Sequence, residues 1–202
     1  MQSRRLFAAL VVLAALPGAP RAQNSGEDLL RQFLVNIDAG PQWSAAVAAI
    51  RSEDSRTIAE GLEFRAADNE RVVTLERLAL DNLRERAEGG FVADAARVDG
   101  VAIRSEASEV TVPTVEASRF SVPDLSGLRF DPDQPVLFLA RLYAAMAEAE
   151  VGRLAAPVID LRQSIEAAGG IEAETSAHYA DLVLENWAGG VIQSFRAGPF
   201  LI

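Results

Sequence analysis

Apolar residues along this chain keep a helical spacing near its start and strand-like spacings over most of the rest. Leu29, Leu30, Phe33, Leu34 and Ile37 recur as one face of a helix would. Ser25 stands before them as an N-cap, with Glu27 and Asp28 in the first turn, where negative charge is favourable. Gly40-Pro41 ends the helix. Trp43, Ala45, Val47 and Ala49 then alternate, which predicts a strand over 43–51, with another over 56–65.

Residues 69–88 support two readings. Val72, Leu75, Leu78 and Leu83, with the pairs Arg77/Asp81 and Arg84/Glu88, suit an amphipathic helix. The β-branched run Val72-Val73-Thr74 suits a strand. A sequence echo described below decides for a strand over 71–81 and a loop from Arg84 to Gly90. Phe91-Val92, Val98 to Ile103 and Val110 to Val112 are further candidate strands. Pro113 and Pro123 cannot donate to a ladder, which places them at strand ends or edges. Asp131-Pro132 opens a central helix, about 132–150, with Asp as N-cap and Pro at the first helical position. Val136, Leu139, Leu142, Tyr143 and Met146 line one side of it, and Gly152 is its stop. Val158 to Leu161 extends as a strand, and Ser164 to Gly170 reads as a short polar link.

Residues 179–198 read as strand, Gly189-Gly190 turn, strand, because two adjacent glycines can take the positive φ of a tight hairpin. Successive side chains should alternate, with Leu182 and Leu184 on one face and Tyr179, Val183 and Trp187 on the other. An earlier stretch echoes this one: Leu78-Ala79-Leu80-Asp81-Asn82-Leu83 matches Leu182-Val183-Leu184-Glu185-Asn186-Trp187, and Gly89-Gly90 matches Gly189-Gly190. A second echo sets Arg119 to Pro123 beside Arg153 to Pro157. The expected fold is therefore α+β and β-rich. It is a mainly antiparallel curved sheet with one N-terminal helix, one central helix and an internal duplication.

Residues 1–22 have the three parts of a secretory signal: Arg4 and Arg5, an apolar run from Leu6 to Leu16, and a Pro17-Gly18 break. The apolar run is short for a membrane anchor. Ser3-Arg4-Arg5-Leu6-Phe7 resembles the twin-arginine export motif, and an ordinary Sec signal fits equally. Cleavage after Ala22 leaves one β-rich domain over 23–202, itself complete or a piece of a longer chain. The expected location is periplasmic or secreted, with no stable membrane span after cleavage. The formal charge is −10, and all 19 basic residues are Arg. Loss of Arg4, Arg5 and Arg21 leaves 16 Arg against 29 acids, or −13. A surface this acidic repels phosphate backbones, so nucleic acid is excluded as a partner.

The chain has no Cys and a single His, His178, so thiolate sites and multi-histidine zinc sites are ruled out. No nucleophile elbow accompanies His178, and neither a P-loop nor a dinucleotide fingerprint occurs. Asp131-Pro132-Asp133 lacks the rest of a calcium loop. No catalytic, metal or cofactor residue is assigned. Gly89, Gly90, Gly189 and Gly190 are structural turn residues, and Trp43 and Trp187 are candidates for stacking on sugar or lipid, or for anchoring the core.

Strands ending in Leu-[Asp/Glu]-Asn, with Gly-Gly hairpins, over 43–125 and 151–199, resemble the repeats of exported bacterial proteins of the AsmA/TamB type. That resemblance implies a long curved sheet in a periplasmic bridge or chaperone for lipid and outer-membrane assembly, with lipid or envelope proteins as partners. The short leader and the central helix depart from it. It implies a non-catalytic scaffold or lipid-handling module. The alternative is a hydrolase acting on glycan through carboxylates near Trp187.

Overall fold

The structure, a computed structural model, describes residues 25–38, 43–67, 70–87, 89–123, 140, 143–144, 147–167 and 171–201. The leader at 1–22 lies outside them. The first element, helix α1 (Gly26–Asp38), is held at its start by a reciprocal cap. The Asp28 N–H donates to Ser25 Oγ at 3.2 Å, and the Ser25 N–H donates to Asp28 Oδ2 at 3.2 Å. This is a capping box with Asp where Glu or Gln is usual. Arg31 closes on Glu27 one turn away at 2.7 Å. The helix ends two residues before Gly40.

Among the described residues ten strands follow: β1 (Trp43–Glu53), β2 (Arg56–Ala66), β3 (Val72–Asp81), β4 (Arg84–Glu85), β5 (Phe91–Ser105), β6 (Ser108–Val122), β7 (Glu150–Ala167), β8 (Ile171–Ala188), β9 (Val191–Arg196) and β10 (Phe200–Leu201). They form one antiparallel sheet in the order β1-β2-β3-β5-β6-β7-β8, with β9 and β10 both beyond β8. The fold is β-rich α+β, and the sheet is an open meander. The strand reading of 71–81 holds. The loop after it contains the short strand β4, whose pairs Arg84↔Val92 and Glu85↔Phe91 keep the register of β3 on β5. In the same way β10 continues β9, pairing Phe200↔Tyr179 where β9 pairs Arg196↔Val183.

The long strands do not alternate simply. Inward apolar residues on β5 are Phe91, Ala93, Ala96, Val98, Val101 and Ile103; on β6 they are Val110, Val112, Val115, Ala117, Phe120 and Val122. The steps are two, three, two, three, two. Val73, Leu75, Leu78, Leu80 and Leu83 keep the same rhythm along β3 and beyond it. A regular strand returns to one face every second residue. A step of three therefore requires a local reversal of the pleat.

Left-handed residues supply those reversals. Gly61, Gly100, Arg119, Asp181 and Asn186 lie inside strands with φ between 50° and 63°, and Asn82 does so at the end of β3 with φ 52°. At each of them the cross-strand pair is missing from the ladder while the register on either side continues unchanged. Ala48 and Gly61, for example, are unpaired between Val47↔Leu62 and Ala49↔Glu60. The reversals line up in rows across the sheet. One row is Ala48, Gly61, Glu76, Gly100, Pro113. A second is Asn82, Asp94, Arg119, Gly152, Asn186, Gln193. A third is Pro157, Asp181, Gly198. Within each row left-handed residues occupy alternate strands. Neighbouring strands must reverse together, because otherwise their apolar sets would fall on opposite faces.

These rows correct several expectations. Pro123 follows the end of β6 as expected, whereas Pro113 sits inside an interior strand rather than at an end or edge, and Pro157 likewise lies inside β7. Pro113 and Pro157 are tolerated because the row positions make no ladder pair, so no N–H is required there. Tyr179, Leu182 and Trp187 all face the inner clusters instead of alternating, since Asp181 and Asn186 each reverse the pleat between them. Ser164 to Ala167 continues β7 rather than forming a link. The central helix expected at 132–150 is not seen as an element among the described residues and lies largely outside them. Positions 140, 143–144 and 147–148 are helical, but Glu150 already opens β7 and Gly152 is a strand residue, not a helix stop. The second echo has no structural counterpart: Arg119 is left-handed and faces Gly152, one residue away from Arg153.

The inner face carries the core. Leu30, Phe33 and Leu34 of α1 pack with Leu62, Phe64, Leu75, Leu78 and Leu80. Each such buried side chain contributes roughly 1.5–3 kcal/mol. Phe33 meets Phe91 edge-on with ring centroids 5.9 Å apart. Two smaller clusters continue along the same face, around Phe120, Val122 and Val151, and around Val112, Val115, Ala156 and Ile159.

Candidate functional site

The outer face is polar, because the residues between inward positions are mostly charged or small. It carries ion pairs from strand to strand: Arg97 with Glu116 at 2.8 Å, Arg104 with Glu109 at 2.7 Å, and Arg51 with Glu60 at 2.7 Å. Arg56 grips Asp81 with two bonds, Nε to Oδ1 at 2.5 Å and Nη2 to Oδ2 at 3.0 Å. The hydrogen bond from Arg56 holds the Asp81 carboxyl below the ordinary carboxylate range; burial opposes it, and the Arg56 charge adds a lesser lowering.

Two open grooves lie between side chains. The larger, about 570 Å³, is lined by Glu109, Thr111, Asp160, Arg162, Ser176, His178 and Leu201 among others. Asp160 and His178 are direct cross-strand partners, so the ladder itself sets carboxylate against imidazole. His178 Nδ1 lies 2.7 Å from Asp160 Oδ1, and both side chains are more than two-fifths exposed. A carboxylate on Nδ1 orients an imidazole, as in hydrolytic triads. Ser176 lies two residues along the same strand, but no hydrogen bond joins it to His178 among the described residues. The pair therefore has the orienting half of a triad and lacks an engaged nucleophile. The smaller groove, about 340 Å³, has Arg56, Arg77, Arg97 and Arg153 in its walls with Asp81 and Glu116. Two of those arginines are already neutralised by these carboxylates.

The sequence-derived site residues are not brought together. Trp43 stands on β1 at one edge of the sheet, packed on the first cluster with Arg71 over its ring at 6.0 Å. Trp187 stands on β8 and packs on the Phe120 cluster. Both serve as core anchors in this arrangement. The four turn glycines all have positive φ, from 60° to 89°. Gly189-Gly190 makes a two-residue hairpin between Ala188 and Val191, and Gly89-Gly90 closes the β4–β5 hairpin with the help of an Arg86 to Gly90 hydrogen bond. The left-handed row residues were not singled out from the sequence. Their signal is the step of three between apolar residues with Gly, Asn or Asp just before the second of them, as at Gly61, Gly100, Asp181 and Asn186.

Among the described residues no group of three or more His, Asp or Glu is arranged to hold a metal, and no helix is long and apolar enough to cross a membrane. No protein-family model, curated protein or solved structure was found to match the chain.

Proposed function

We propose that the protein is a non-catalytic, exported scaffold of the cell envelope, periplasmic or secreted, that handles lipid or envelope proteins. The observation that supports this reading is the asymmetry of the sheet. One face is apolar in a continuous rhythm from β1 to β8, the other is laced with ion pairs, and the two grooves on the polar face lack an assembled set of nucleophile, base and charge stabiliser. An open sheet of this kind presents surface rather than an enclosed reaction site. The internal duplication belongs to the same proposal: Asn82 and Asn186 share φ of 52° and 51° at matching places in the two Leu-x-Leu-x-Asn stretches.

Native mass spectrometry of protein extracted gently from its producing cell tests the proposal, together with N-terminal sequencing. Co-purified lipid or envelope protein on a chain beginning near Gln23 is the expected result. Apo protein that turns over a glycan, with turnover lost on substitution of a carboxylate near Trp187, would replace the scaffold with the hydrolase.

A further inference from the structure

The outermost strand segments, β9 and β10, differ from every other part of the sheet. Among the described residues, all the exposed large apolar side chains that lie in strands are here: Val191 63%, Ile192 40%, Phe195 58%, Phe200 48% and Leu201 64% exposed. The opposite edge, β1, shows no such residue, and α1 packs against it. An apolar edge with free backbone groups is a template for another strand.

The rows specify which strand. Left-handed residues occupy alternate strands in every row, and β8 supplies them at Asn186 and Asp181. The facing positions on β9 and its continuation, Gln193 and Gly198, are not left-handed. The strand beyond must therefore carry left-handed residues opposite Gln193 and Gly198, five residues apart, with apolar residues in steps of two and three. Gly, Asn and Asp are the residues that adopt this conformation cheaply. The free edges of a second copy do not qualify. On β1 the row position is Ala48 and on β9 it is Gln193, and neither is left-handed.

We infer that the β9–β10 edge is a strand-addition site for a partner polypeptide segment with Gly, Asn or Asp at five-residue spacing inside an apolar strand. The occupant adds antiparallel to β9, extends the ladder and covers Ile192, Phe195 and Phe200. The inference stands apart from the export proposal, since it rests on the edge and the rows alone.

The test uses the intact chain and a synthetic peptide with the sequence of residues 177–188, which has the required spacing in Asp181 and Asn186. Amide hydrogen exchange is followed with and without the peptide, and affinity is measured by fluorescence anisotropy of a labelled copy. Expected are binding and slowed exchange over 191–201, and at least tenfold weaker binding of a peptide with Val at both left-handed positions. Protection confined to 43–53, faster exchange in 171–188 through displacement of β8, or equal binding of the two peptides would overturn the inference. So would a free protein that sediments as a dimer with 191–201 already protected, since a second copy would then be the occupant.

Discussion

The two halves of the sheet share one rhythm and differ in what lies over it. From β1 to β5 the inner face is roofed by α1, and a single cluster runs from Leu30 through Phe64 and Leu80 to Ala93. From β6 onward the same two-and-three spacing produces two smaller clusters and ends on an exposed apolar edge. The left-handed rows cross both halves, so they do not account for the difference. Among the described residues, what separates the halves is the capped helix. Sheet geometry alone organises an apolar face, and a second element is needed to bury it deeply.

Replacing one aromatic residue in each half gives the largest contrast. Phe33→Ala removes the helix's grip on Phe91 and should cost about 3–5 kcal/mol in chemical denaturation. Phe195→Ala at the exposed edge should stay within about 0.5 kcal/mol. Equal losses would mean that the edge is as well covered as the core. Reversal residues should behave alike in both halves. Gly100→Val and Asn186→Val each force a β-branched residue into left-handed φ and should each cost about 1–3 kcal/mol. At Gly100 a Cβ would also run into the Glu76 side chain, which lies exposed and can swing aside. A cost at only one of the two would break the equivalence of the rows.

Smaller effects sharpen the same comparison. Arg119 holds φ 51° without the local hydrogen bonding that eases Asn or Asp into this region. Arg119→Asn should stabilise by up to about 1 kcal/mol, read as a raised melting temperature. The smallest effect is electrostatic and confined to the helix-covered half. The Asp81 carboxyl lies below its unfolded value because of Arg56. Its contribution is therefore present above the ordinary carboxylate range and is lost as pH falls through the lowered folded value. Melting temperatures measured down the acid limb should fall less steeply for Asp81→Asn than for the parent chain. An unchanged slope would show that the pair is as strong in the unfolded chain.

Much of the fold was legible where conventional signals apply. The Ser25 cap, the Gly-Gly hairpin at 189–190 and the strands near 43–51, 56–65 and 71–81 rest on positive-φ turns, capping chemistry and β-branched residues. The difficulty at 69–88 has a physical cause. Steps of two and three average between the strand and helix periods, so Val72, Leu75 and Leu78 imitate a helical face although they lie on one strand. The same rhythm made β5 and β6 look like several short strands, because each reversal interrupts the alternation. Pro113 pointed to a strand end or edge for the same reason. The His178–Asp160 pair was hidden because it depends on the register between β7 and β8, which brings together two residues 18 apart along the chain. The echo between the two Leu-x-Leu-x-Asn stretches was visible, yet its rhythm runs through nearly every strand.

The rows also restrict how such a chain can change its length. In lattice language, the sheet has a unit cell five residues long and two strands wide. Inserting one residue into a single strand creates a dislocation: beyond it, every row on that strand meets the wrong partner and its apolar set faces the wrong side. Inserting five residues into that strand and five into each neighbour restores the match. Length variation in proteins built this way should therefore fall in turns, or come in whole cells shared by adjacent strands.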